Sequence, residues 1–201
     1  MEKKTHVMCA NFVSLCLIIP RSIPELLITC GSATIGGLVP DVDLKDSTSD
    51  KLFDRLMTSL VTIVLMSLFI KYFFDIDLYC KIKECNYINY LVSICLFIVM
   101  AYLGSKSSHR SFTHSILGLI VYSSILSYGF GMNVIFPYFV SHLSHIVLDL
   151  FNKKGVALFY PSKFRFSFKL CESNGKVNRF LFILFSLLIV LLLVLIGIDI
   201  I

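Results

Sequence analysis

Five long apolar stretches dominate the chain, at residues 56–74, 87–104, 112–130, 133–151 and 180–198. Each is long enough, or nearly so, to cross the roughly 30 Å hydrocarbon core of a bilayer as a helix, which takes about 20 residues. The N-terminal region is less regular. Two shorter apolar runs, 7–19 and 23–39, flank Pro20-Arg-Ser-Ile-Pro24, and proline does not continue a helix interior. The pattern predicts a helical hairpin or a broken helix there. Such a break at membrane depth requires protein or a cavity to cover it. The expected fold is all-α, a polytopic helical membrane protein with about five to seven membrane segments, the hairpin or broken helix included. One membrane-embedded domain is expected over 1–201, with 179–201 a lipid-facing C-terminal anchor helix. At 163–170 apolar and polar residues alternate with a period of two, as in a strand or a segment lying in the interface.

Composition agrees with a membrane chain. Hydrophobic residues make up 57% and charged residues 15%, with mean hydropathy +0.84, whereas soluble domains average about 45–50% and about 25%. The seven cysteines are an odd number, mostly inside apolar runs, where cysteine behaves as a small hydrophobe. No disulfide framework is expected, and the Cys80/Cys85 spacing in one polar loop does not suggest a metal site. The basic start, Met1-Glu-Lys-Lys, imitates a secretory leader, but Arg21 and Glu25 interrupt the run and no small-residue cleavage site follows. An uncleaved membrane segment is expected.

Charge assigns the sides. Alternate crossings put residues 1–6, 40–55, 105–111 and 152–179 together, and all but Arg21, Lys71, Lys81 and Lys83 of the 18 Lys and Arg residues fall on that side. The positive-inside rule makes it cytoplasmic and places the C-terminus outside. The formal net charge of +5 resides in surface loops, so membrane lipid is the expected partner. Anionic phospholipid headgroups would meet Lys163, Arg165 and Lys169. No nucleic-acid motif is present.

All five histidines lie in or beside short polar motifs at that same side. The motifs are Thr5-His6, Pro40-Asp-Val-Asp43, His109-Arg-Ser-Phe-Thr-His114-Ser, and Ser141-His-Leu-Ser-His145-Ile-Val-Leu-Asp149. Imidazole with carboxylate suits zinc foremost, then manganese or iron. On a helix His145 and Asp149 are about 40° apart and can chelate one divalent ion; the bland alternative is a packing hydrogen bond. His142 shares their stripe, as a further ligand, a partner that orients one, or a proton shuttle. In an extended segment Asp41 and Asp43 would point to the same side and reach one cation together; the alternative is a solvated acidic loop, since Asp46, Asp50 and Asp54 follow. Ser111 is the expected N-cap, leaving His114 in the first helical turn and His109 in the loop before it. Arg110 is expected to hold an anionic phosphoryl group or to touch lipid headgroups. His6 has no local partner.

Taken together, Thr5-His6, Gly37-Leu-Val-Pro-Asp41-Val-Asp43, His109-Arg-Ser-Phe-Thr-His114-Ser, and Ser144-His145-Ile-Val-Leu-Asp149 with Gly155 and Pro161 resemble the YdjM-like family of inner-membrane metal-dependent hydrolases. The resemblance spans residues 5–161. It implies a helical inner-membrane protein and marks His6, Asp41, Asp43, His109, His114, His145 and Asp149 as the matching polar positions; His142 is not among them. The pattern is also loosely similar to zinc-dependent phospholipase C. The expectation that follows is a metal-dependent hydrolase acting on a phosphoester, of a membrane lipid or another substrate. His6, Asp41, Asp43, His114, His142, His145 and Asp149 are its candidate ligands; Asp43, His109 and Arg110 are its candidate catalytic and substrate-contacting residues. Two other classes stay open, a metal-ion or proton transporter and a non-catalytic membrane protein with a structural metal.

Overall fold

A computed structural model describes residues 2–43, 87–172 and 175–200. The expected span at 56–74, the Cys80/Cys85 pair and the acidic residues Asp46, Asp50 and Asp54 lie outside these. Six α-helices make up the described fold: α1 (Lys3–Leu17), α2 (Ile23–Leu38), α3 (Tyr87–Ser105), α4 (Ile116–Gly129), α5 (Met132–Leu150) and α6 (Lys176–Ile200). Two 3₁₀ turns, Val39–Asp43 and Phe112–His114, follow α2 and precede α4. By length and composition Ile23–Asp43, Ile88–Ser105 and Lys176–Ile198 are long and apolar enough to cross a membrane. Helix α4, at 14 residues, is shorter. The polar stripe of α5 keeps it outside that set.

The N-terminal region forms a hairpin of two separate helices packed on each other. Ser22 starts the second one by accepting the Glu25 N–H, and Pro24 sits in the first turn, where no intrahelical partner for its nitrogen is needed. Glu25 in turn accepts the Arg21 N–H at 2.8 Å.

Helix α5 is central and packs against α1, α2 and α4, most extensively against α2. Two glycines make the close approach of α2 feasible. A Cβ on Gly36 would lie 2.5 Å from the Tyr138 carbonyl oxygen of α5, and one on Gly37 would lie 2.9 Å from the Ala10 Cβ of α1. Small residues let helix backbones meet in lipid, where hydrophobic exclusion does not drive helices together. Interhelical hydrogen bonds add to this: Asn11 Nδ2 donates to Thr34 Oγ1 at 3.0 Å and the hydroxyls of Ser14 and Ser141 pair at 2.8 Å.

Beyond α5 the chain folds back over the helix ends. Val156 and Phe166 exchange backbone hydrogen bonds in an isolated bridge, and no strand forms among the described residues, although the alternation at 163–170 allowed one. Helix α6 rests on α1 and exposes most of its apolar surface.

Substituting Gly36 by Ala forces α2 and α5 apart, with an expected loss of about 1–3 kcal/mol, read as a lowered melting temperature in detergent. Gly31→Ala, where an added Cβ meets nothing within 4 Å, serves as the control and does not lower that temperature, since alanine suits a helix interior better than glycine.

Candidate metal centre

The four polar motifs meet at one end of the helices. Helix α1 brings His6, the 3₁₀ turn after α2 brings Asp41, the turn before α4 brings His114, and the last two turns of α5 bring His145 and Asp149. All five are buried. Their ligand atoms form two overlapping triads, His6/His145/Asp149 and Asp41/His114/His145, within each of which the atoms lie within 4.8 Å of one another.

Hydrogen bonds around the centre fix which ring nitrogens face it. His145 Nδ1 is 2.8 Å from the Gly37 carbonyl oxygen, which only accepts, so Nδ1 carries the proton and Nε2 presents a lone pair. That Nε2 is 3.7 Å from Asp41 Oδ1. The Thr113 hydroxyl donates to Asp43 at 2.8 Å and therefore accepts from His114 Nδ1 at 3.1 Å. His114 Nε2 is left facing Asp149 at 3.4 Å and Asp41 at 3.7 Å. His6 stacks on His145, ring centroids 3.7 Å apart and planes 12° apart, with Nε2 3.3 Å from Asp149 Oδ1. Because His145 offers one nitrogen to both triads, they describe a single centre. Outer hydrogen bonds of this kind orient metal-binding histidines.

Among the described residues, both nitrogens of His6, Nε2 of His114 and His145, and Oδ2 of Asp41 have no hydrogen-bond partner. An unpartnered polar atom in a dry interior costs about 1–3 kcal/mol, and here several converge on one point. A cation removes that cost, and three imidazoles with two carboxylates suit a divalent metal. The carboxylates also favour positive charge on a neighbouring ring. Burial alone would lower the His114 pKa, but the carboxylates of Asp149, Asp41 and Asp43 outweigh it and hold the group well above its ordinary value.

Asp43 does not share the centre with Asp41. The extended geometry expected for them is replaced by a 3₁₀ turn, in which residues two apart diverge by about 120°. Asp43 instead accepts from His109 Nδ1 at 2.7 Å, the Arg110 N–H at 2.8 Å and the Thr113 hydroxyl. It fixes the 109–114 loop and lies 3.5 Å from His114 Nδ1, so its place is behind His114 and not in the centre. His142 also stands apart. Its Nε2 donates to the Thr113 carbonyl and its Nδ1 accepts from the Tyr138 hydroxyl, both at 3.0 Å. Neither nitrogen is left for an ion, and the residue secures Thr113. The N-cap of α4 is Ser115, which accepts the Gly118 N–H, so His114 precedes that helix instead of opening it.

His109 is partly exposed, at 36%. Arg110 is buried, its side chain turned onto Asp149, with Nη2 3.0 Å from each Asp149 oxygen. Its backbone adopts φ 61°, a conformation costing about 1–3 kcal/mol in a non-glycine residue. The bond from its N–H to Asp43 and the one from the Ala157 N–H to its carbonyl offset that strain. Thr113, Tyr138 and the Gly37 carbonyl are contributors that the pattern of titratable residues did not reveal.

A family model described as YdjM inner membrane protein matches residues 1–200. No curated protein and no solved structure matches.

Metal analysis of purified protein checks the assignment of roles. His145→Ala is expected to abolish stoichiometric zinc binding. His142→Phe is expected to keep the metal while losing about 1–3 kcal/mol of stability, because the Thr113 carbonyl loses its donor.

Proposed function

Since the chain belongs to the YdjM inner membrane protein family, we propose that it is a membrane-embedded metal-dependent hydrolase that cuts a phosphoester at the cytoplasmic face. The observation that carries this reading is the convergence of unpartnered imidazole nitrogens with the Asp41 and Asp149 carboxylates in a buried centre. His6, Asp41, His114, His145 and Asp149 would hold the ion, and zinc suits that donor set best, with manganese or iron next. When bound, a divalent ion supplies a water acidified towards neutrality and a Lewis acid for a phosphoryl oxygen.

The chain's own groups divide the remaining work. Asp43 orients the Thr113 hydroxyl that accepts the His114 Nδ1 proton and, through its 2.7 Å contact with Nδ1 of His109, sets the tautomer of that ring. His109 is the partly exposed imidazole of the group, and its Nε2 is suited to give a proton to a leaving oxygen or take one from water. Burial of the other four histidines and of Asp41, Asp43 and Asp149 would keep bulk water from the reacting groups.

Placement at the helix ends favours hydrolysis over ion transport, because transporter sites usually lie near the bilayer midplane between repeated halves. The lysines and arginines around this end support a cytoplasmic orientation with the C-terminus outside. Exposed Phe164 and Phe168, interleaved with Lys163, Arg165 and Lys169, suit a segment resting among anionic headgroups, which points to a membrane lipid as substrate.

Phosphodiesterase and phospholipase assays on protein in detergent test the reading. Activity is expected to vanish with a chelator, return with zinc, and be absent in Asp149→Ala. Asp43→Asn should keep the metal yet lose about 10–100-fold in activity, since it disturbs the bonds that orient His109 and His114 and removes none of the proposed ligands. Zinc-loaded wild type without turnover of any phosphoester would overturn the proposal in favour of a structural metal.

A further inference from the structure

Arg110 is incompletely used by the contacts around it. Its side chain is 5% exposed, and one nitrogen, Nη2, makes both approaches to Asp149. Nε and Nη1 have no partner among the described residues. A guanidinium stays charged and carries five N–H donors in a planar fork, so a buried one with idle donors lacks an acceptor of matching shape. The fork matches carboxylate and phosphate oxygens, and the carboxylate within reach, Asp149, already occupies Nη2.

The surroundings are cationic as well. Residues 104–116 contain Lys106 and Arg110, residues 152–171 contain Lys153, Lys154, Lys163, Arg165 and Lys169, and neither segment has an acidic residue. Both cover this end of the fold. Ala157 N–H donates to the Arg110 carbonyl and Arg165 Nη2 donates to the His109 carbonyl at 3.0 Å. Lys153 is paired with Glu172, and the remaining basic side chains of these loops raise the local concentration of anions.

We propose that Arg110 seats a phosphoryl oxyanion beside the metal centre, with Nη2 kept on Asp149 while Nε and Nη1 donate to phosphoryl oxygens. The seat rests on the hydrolase reading for its role in turnover, and it defines the substrate class as one carrying an anionic phosphoryl group. Left-handed backbone at Arg110 and its bonds to Asp43 and Ala157 hold the guanidinium in place before the anion arrives.

Calorimetric titration of zinc-loaded protein in detergent, with inorganic phosphate in one arm and dioctanoyl phosphatidic acid in the other, tests it. Both are expected to bind wild type, with Arg110→Gln weakening both by about tenfold or more and Arg110→Lys falling between, at unchanged zinc content. As a check that needs no variant, manganese-loaded wild type should broaden the ³¹P resonance of phosphate. Phosphate binding that is equal in wild type and Arg110→Gln, or a ³¹P signal indifferent to manganese, overturns the seat and leaves the hydrolase reading standing. Lipid binding that ignores Arg110 places the headgroup on surface lysines and also overturns it. Arg110-dependent phosphate binding by protein that takes up no zinc supports the seat and rejects the hydrolase reading instead.

Discussion

Lone pairs and carboxylates gathered in a dry interior are the constraint from which the architecture of this protein follows. His6, His114 and His145 turn nitrogens towards Asp41 and Asp149, and outer hydrogen bonds to the Gly37 carbonyl and the Thr113 hydroxyl fix the rings of His145 and His114. Burying so much unsatisfied polarity is unfavourable unless a cation completes it. The helices around the centre have to resist that strain.

They do so with small residues and backbone hydrogen bonds more than with bulk. Gly36 and Gly37 bring α2 against α5 and α1, and the carbonyl of the second glycine holds the imidazole of His145. Helix ends leave carbonyls without intrahelical partners, and here one of them sets a ligand's tautomer. Asp43 performs the corresponding service for the loop, joining His109, Arg110 and Thr113 to a single carboxylate. An outer ring of His142, Tyr138 and Thr113 supports that loop from the side of α5.

Much of this was legible in the sequence where the determinants are local. The helical character came from apolar runs, and the His145/Asp149 pair from a spacing of four on a helix. Asp41 and His114 stood out as polar residues at the ends of apolar runs. What escaped was geometry settled by packing. Asp41 and Asp43 looked equivalent because an extended segment would align them, and the 3₁₀ turn separates them. His142 shares the helix stripe of His145, yet its ring is engaged by Tyr138 and by a carbonyl 29 residues away in the chain, which no periodicity could announce. His6 had no neighbouring motif; its place on His145 depends on how the hairpin of α1 and α2 docks. The Gly37 carbonyl carries no side-chain signal at all.

The stacked pair of His6 and His145 has a consequence for assembly. Residues drawn from the first turns of α1 and the end of α5 share one centre, so an ion bound there acts as a removable cross-link between segments far apart in the chain. Such an ion binds the assembled site and not the unfolded chain, so it stabilises the fold by mass action. An ion held there would favour the assembled arrangement over any in which α1 and α5 have parted, so its uptake and the docking of the N-terminal hairpin would be one linked equilibrium.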